Sequence, residues 1–231
     1  MNLYNSPDTS IITNQSSSDF KYKNVLLNSL KELEKYDDID APEEFKPILN
    51  LNGMSGGYYR LLINNIIKAI EDPRYLEVGS WKGSTVCAAM FNNKCKATCI
   101  DNWSEWGGPK EDFLANTNTF ANTDVQFTFI ESDFRNVDYS SLGKFNVYLF
   151  DGPHSEQDQY DGIVITQPAL DEEFILIVDD WNWQQVRQGT MTALQNLNLK
   201  VLESISITFT PHLCCEETRW HNGYFIAVIS K

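Results

Sequence analysis

The sequence is short of positive charge: 18 Lys and Arg stand against 32 Asp and Glu, a formal net charge of −14. Nucleic-acid binders hold phosphates with clustered Lys and Arg, so this balance argues against a surface built to track a nucleic-acid backbone. Long apolar runs are also missing. Stretches such as residues 174–178 are strand-sized, far below the ~20 residues of a membrane-spanning helix, and no membrane association is expected. Cysteine is sparse and unpatterned. Cys87, Cys95, Cys99, Cys214 and Cys215 are odd in number and form no CxxC, which excludes a disulfide framework and fits a reducing, cytoplasmic setting. His212, Cys214, Cys215 and His221 share one loop, but their spacing matches no standard zinc site. The amino terminus lacks the basic start and apolar core of a signal peptide, and residues 1–22 read as a polar, flexible tail. What remains is ordinary globular material. At 42% hydrophobic, a chain of 231 residues can bury roughly 70% of its unfolded surface in one domain.

Periodicity organises that material. Val25, Leu26, Leu30 and Leu33 recur at helical spacing and predict a helix over 23–36, followed by a loop at 37–42; the leucine stripe suits either core packing or a homodimer contact. A second helix is expected over 55–71, where Leu61, Leu62, Ile66, Ile67 and Ile70 form a stripe that Asp72-Pro73 ends. From residue 74 onward, β-type runs at 75–78, 97–100, 125–130, 147–150 and 174–178 alternate with helix-length segments at 84–91, 111–120, 156–166 and 183–197, with a short turn of helix near 139–142. That alternation implies an α/β fold whose parallel sheet is covered on both faces. The runs at 201–209 and 224–229 have no helix between them, and Asn222-Gly223 signals a turn, so these two should pair antiparallel.

In an open parallel sheet, ligands bind beyond the carboxyl ends of the strands, where strand order reverses. After the first strand, Gly79 and Gly83 allow close backbone approach, and Ser84 and Thr85 open the next helix with free hydroxyls and N–H groups. Asp101 stands 22 positions after Gly79, the place of an acid that binds a ribose diol. Dinucleotides and S-adenosylmethionine both carry that ribose. Trp81 and Ser84, however, occupy the second and third glycine positions of GxGxxG, which disfavours a pyrophosphate. Ser132 and Asp133 follow the third strand, placed to meet an adenine edge. Asp151 follows the fourth strand, and Asp179 and Asp180 the fifth. If those strands are neighbours, three carboxylates converge, and hard oxygen donors in that number suit Mg²⁺, Mn²⁺ or Ca²⁺. His154, three residues past Asp151, is placed to accept a substrate proton. Trp103, Trp106, Trp181 and Trp183 lie just past strand ends, where aromatic faces can stack on a cofactor, a sugar or a planar substrate.

Taken in order, these segments resemble the class I S-adenosylmethionine-dependent methyltransferases, and among them the metal-dependent O-methyltransferases of catechol and sugar type, including methyltransferase family 24. The resemblance runs over about residues 55–231. It implies a Rossmann-like three-layer sandwich with a seven-stranded, mostly parallel sheet and an antiparallel last strand. The domain would occupy 54–231, behind an N-terminal helix and loop at 23–53. It implies S-adenosylmethionine as cofactor, with Glu77, Gly79, Ser80, Gly83, Ser84 and Thr85 in the first motif and Asp101, Asn102 and Trp103 at the ribose. Ser132 and Asp133 stand at the adenine loop, and Ser55 and Asp151 near the methionine end. A divalent cation such as Mg²⁺ would sit on Asp151, Asp179 and Asp180. The general base, a lysine in the catechol enzymes, is replaced here by His154. The acceptor would be a hydroxyl on a sugar, phenol or other small molecule, with Trp106, Trp181 and Trp183 facing it. A nicotinamide oxidoreductase, or a non-catalytic nucleotide-binding module, would share the first turn and Asp101.

Overall fold

The run Phe174-Ile175-Leu176-Ile177-Val178 is apolar at every position, a pattern that suits a strand covered on both faces. In the computed structural model, which describes residues 8–13, 19–33, 42–208 and 220–231, it forms the end of a central strand of an eight-stranded sheet. Ile175 and Ile177 enter one core, while Phe174, Leu176 and Val178 enter the other. The strands are β1 (Asp8–Thr13), β2 (Arg74–Val78), β3 (Cys95–Asp101), β4 (Val125–Glu131), β5 (Phe145–Phe150), β6 (Leu170–Val178), β7 (Lys200–Thr208) and β8 (Tyr224–Ser230). Their spatial order is β1-β7-β8-β6-β5-β2-β3-β4. The pairs among β6, β5, β2, β3 and β4 are parallel, and β8 runs antiparallel to both β6 and β7.

The helices are α1 (Val25–Leu33), α2 (Lys46–Leu49), α3 (Gly57–Lys68), α4 (Ser84–Met90), α5 (Lys110–Phe120), α6 (Glu156–Val164) and α7 (Gln184–Asn196). The first five contribute buried side chains to the core that holds Ile175; α6 and α7 pack over the opposite face. This is the three-layer, Rossmann-like arrangement. Leu26 and Leu33 are buried and Leu30 packs beside them, so the leucine stripe of α1 is satisfied within its own chain. Glu203 on β7 accepts from the backbone N–H of Asn24 and tethers the start of α1 to the sheet. None of the helices among the described residues is long and apolar enough to cross a membrane.

Residues 8–13 correct the reading of a polar tail. They form an eighth strand, antiparallel to β7 with Asp8 opposite Thr208 and Thr13 opposite Glu203. Its only apolar residues, Ile11 and Ile12, are exposed, so no hydrophobic period announces it. Backbone pairing along the outer edge of β7, which would otherwise be open, is enough to define it. The short helix α2 and the 3₁₀ turn Glu43–Phe45 before it also lack a sequence period, yet they bury Phe45 and Ile48. Most of the 37–42 loop and residues His212, Cys214 and Cys215 lie outside the described residues.

Candidate active site

The sheet reverses its winding at β2, which has β3 on one side and β5 on the other. The loops leaving β2 and β5 meet there. Gly79 has φ +83°, and a Cβ on it would stand 1.9 Å from the carbonyl oxygen of Asp151, so only glycine lets the two loops touch. Beyond this contact lies a cavity of about 370 Å³, within the size range of small-molecule sites. Its walls come from the carboxyl ends of β2 to β6 and from the turn before β8.

At one end the wall carries Asp101, Asn102, Trp103, Ser132 and Asp133. The Asp101 carboxylate is held by backbone donors: Ser80 N and Trp81 N donate to Oδ2 at 2.8 Å each, and Trp103 N donates to Oδ1 at 2.7 Å. It therefore ties the loops after β2 and β3 together while still lining the cavity. The tryptophans continue the tie, since Trp103 Nε1 donates to Trp81 O at 2.9 Å and Trp81 Nε1 to Trp106 O at 3.1 Å. Asp133 accepts from Arg135 N and caps a 3₁₀ turn whose Phe134 forms an apolar part of the wall.

The other end is acidic. Asp151, Asp179 and Asp180 all line it, together with His154, Trp183, His221 and Asn222. His154 Nε2 stands 2.7 Å from Asp180 Oδ2 and 3.7 Å from Asp151 Oδ1. Burial works against a charged His154, but its contacts with Asp151 and Asp180 prevail and push its pKa up to about 10. Burial raises Asp151 to about 6 against the hydrogen bond from His154, and the neighbouring Asp180 adds to the rise. Asp179 is pushed well above the usual carboxylate range by burial and by Asp151 and Asp180. One ligand atom each of Asp151, His154 and Asp180 lies within 4.8 Å of the others, an arrangement able to hold a cation. The expected triad is thereby altered. The cluster holds His154 and not Asp179, whose carboxylate accepts from Asp180 N at 2.7 Å.

Several expected contacts are not on the cavity wall. Glu77 is buried within β2 and accepts from the hydroxyl of Tyr75. Ser55, Ser84 and Arg60 form a buried chain behind the first turn, with Ser55 Oγ 2.9 Å from both Ser84 Oγ and Arg60 Nε. Gly83 packs on Phe113, where an added Cβ would come within 3.0 Å of the ring. These residues brace the turn from behind, because the loop presents Gly79 and Trp81 to the cavity and turns the rest inward. Trp181 is also buried, stacked on Phe225 with ring centres 4.5 Å apart, so it belongs to the core. Trp106 and Trp183 do line the cavity, Trp183 with its ring edge-on to His154 at 5.0 Å. Sequence reasoning missed Met54, Phe134, His221 and Asn222 on the wall. Met54 stands beside Ser55 in the segment that the resemblance puts at the methionine end, and Asn222-Gly223 carried only a turn signal.

Residues 76–181 match the model of a methyltransferase domain, methyltransferase family 24. No curated protein sequence matches the chain. Among solved structures, the O-methyltransferase TomG from Streptomyces achromogenes, involved in tomaymycin synthesis and determined with S-adenosylmethionine, superposes with a TM-score of 0.57 at 12% identity over 92% of this chain and 100% of its own. PH1948 from Pyrococcus horikoshii, provisionally described as an RNA methyltransferase, gives 0.53 at 12% identity over 89% and 97%. TrmN from Thermus thermophilus gives 0.50 at 13% identity over 80% of this chain, which spans only about half (52%) of TrmN.

Proposed function

We propose, from the premise that this chain is a class I S-adenosylmethionine-dependent methyltransferase, that it methylates a hydroxyl of a small molecule at a centre made by Asp151, His154 and Asp180. The observation that carries this reading is that cluster, set in the same cavity as the Asp101–Asp133 wall. The residues fit the cofactor: an acid after β3, polar groups and Phe134 after β4, and a glycine turn that brings the two halves of the wall together. When bound, S-adenosylmethionine supplies an electrophilic methyl on a sulfonium, which an acidic cavity favours. Asp101 would offer its remaining lone pairs to the ribose diol and Ser132 and Asp133 would meet the adenine, with Met54 also on the cavity wall. Asp151 and Asp180 would hold a divalent cation, with His154 as a third donor or as the base; the cation supplies Lewis acidity that makes a hydroxyl easier to ionise. His154 takes the acceptor's proton only when Asp151 and Asp180 are engaged elsewhere, because while they face it the imidazole keeps its own. Trp183 and Trp106 give the acceptor apolar faces, and orientation against the methyl supplies much of the rate.

TomG is described as an O-methyltransferase and PH1948 provisionally as an RNA methyltransferase, and charge favours the small-molecule class here. A net charge of −14 and a wall rich in carboxylates disfavour a phosphate-bearing acceptor. The test is a labelled methyl-transfer assay over a panel of sugars, phenols and RNA, with and without chelator, alongside titration with S-adenosylhomocysteine. Micromolar binding, transfer to a small hydroxyl and loss of transfer on chelation are expected. Transfer to RNA alone would refute the acceptor class, and chelator-insensitive transfer would refute the cation.

A further inference from the structure

Two non-glycine residues with left-handed backbones meet at the acidic end of the cavity: Asp180 at φ +55° and Asn222 at φ +49°. Asn222 Nδ2 donates to Asp180 Oδ1 at 2.7 Å, while Asp180 Oδ2 is the oxygen that faces His154. The backbones on either side are joined as well. Trp181 N donates to Gly223 O at 3.0 Å and Asn182 N to Asn222 O at 2.8 Å. A Cβ on Gly223 would come within 2.9 Å of Asn182 N, so the Asn222-Gly223 turn is packed directly onto the loop after β6.

A carboxylate free to rotate would offer either oxygen to its neighbours. With Oδ1 tied to an amide, Asp180 presents Oδ2 to His154. Asparagine suits this position on two counts. It donates without adding negative charge to a cavity end already lined by three aspartates, or a positive charge that would compete with a cation, and it tolerates the left-handed backbone better than most residues. We propose that Asn222 is a positioning residue for the cation centre: by fixing which oxygen of Asp180 faces His154, it sets the affinity for a divalent ion. This rests on the cation reading given above.

The test is titration of Mn²⁺ into protein saturated with S-adenosylhomocysteine, followed by the loss of the free-ion spin-resonance signal. Wild type is compared with Asn222→Gly, which removes the amide and keeps a residue at ease at positive φ. Mn²⁺ affinity should fall between about 10- and 100-fold in the variant, as is usual when the partner of a ligand is lost, with S-adenosylhomocysteine affinity unchanged. Equal Mn²⁺ affinity in the two proteins overturns the role of Asn222 alone. Loss of S-adenosylhomocysteine binding in the variant also overturns it, since Asn222 would then be a structural residue. No Mn²⁺ binding by the wild type brings down the cation reading and this inference together.

Discussion

Glu77 offers a measurement that links a buried charge of the first turn to the stability of the whole protein. Its side chain is fully buried within β2, and burial lifts its pKa from 4.5 to about 7 against the hydrogen bond from Tyr75, with Asp151 adding to the rise. The folded state therefore holds this proton more tightly than the unfolded chain does. The stabilisation is complete below about pH 4.5, falls as pH rises, and is gone above about pH 7. The gap corresponds to about 3 kcal/mol. Glu77→Gln puts an amide of the same shape in the place of the carboxyl and cannot titrate. Thermal melts of both proteins from pH 5 to 8.5 should show the variant gaining on the wild type as pH rises, by roughly 6–12 °C for a domain of this size. Asp151 and Asp179, which also have raised pKa values, are present in both proteins and largely cancel in the difference. A difference in melting temperature that stays flat across this range would refute the assignment of a proton to Glu77.

Arg60→Met should cost about 3 kcal/mol in urea unfolding, because the buried guanidinium donates to the carbonyls of Ile48 and Leu51 at 2.8 Å each and to Ser55 Oγ at 2.9 Å. The same change should weaken S-adenosylhomocysteine binding by releasing the segment that carries Met54; a loss below 1 kcal/mol with unchanged binding would contradict it. Asp101→Asn replaces a carboxylate that accepts three backbone N–H bonds with a group that has one acceptor oxygen, and calorimetric titration should show S-adenosylhomocysteine bound at least tenfold more weakly. Affinity within a factor of two of wild type would mean that the clamp on the two loops is dispensable.

The parallel sheet was legible because its central strands β2, β3, β5 and β6 are buried on both faces and its amphipathic helices on one. Phe174–Val178 reads as a strand at any position, and Leu61, Leu62, Ile66 and Ile67 read as a helix face. β1 was illegible because it is held by backbone pairing at an edge, which leaves no mark on side-chain pattern. The division within the first motif was illegible for a related reason. Gly79 and Trp81 face the cavity while Glu77, Ser80, Ser84 and Thr85 face inward, and which way each residue of a tight turn points depends on φ angles such as the +83° of Gly79 and the +43° of Trp81.

The sequence by itself determined the alternation of elements, the acids at the ends of β3, β5 and β6, and a net charge of −14. These are local properties: composition, period, and the rule that a strand's last residue faces the ligand edge. Tertiary structure alone decided that His154 joins Asp151 and Asp180 while Asp179 accepts from the backbone of Asp180, and that a turn 42 positions beyond Asp180 supplies Asn222 to it. Those partnerships depend on β8 entering antiparallel beside β6, and the energy of a hydrogen bond or ion pair depends on distances of a few ångströms that spacing along a chain does not encode.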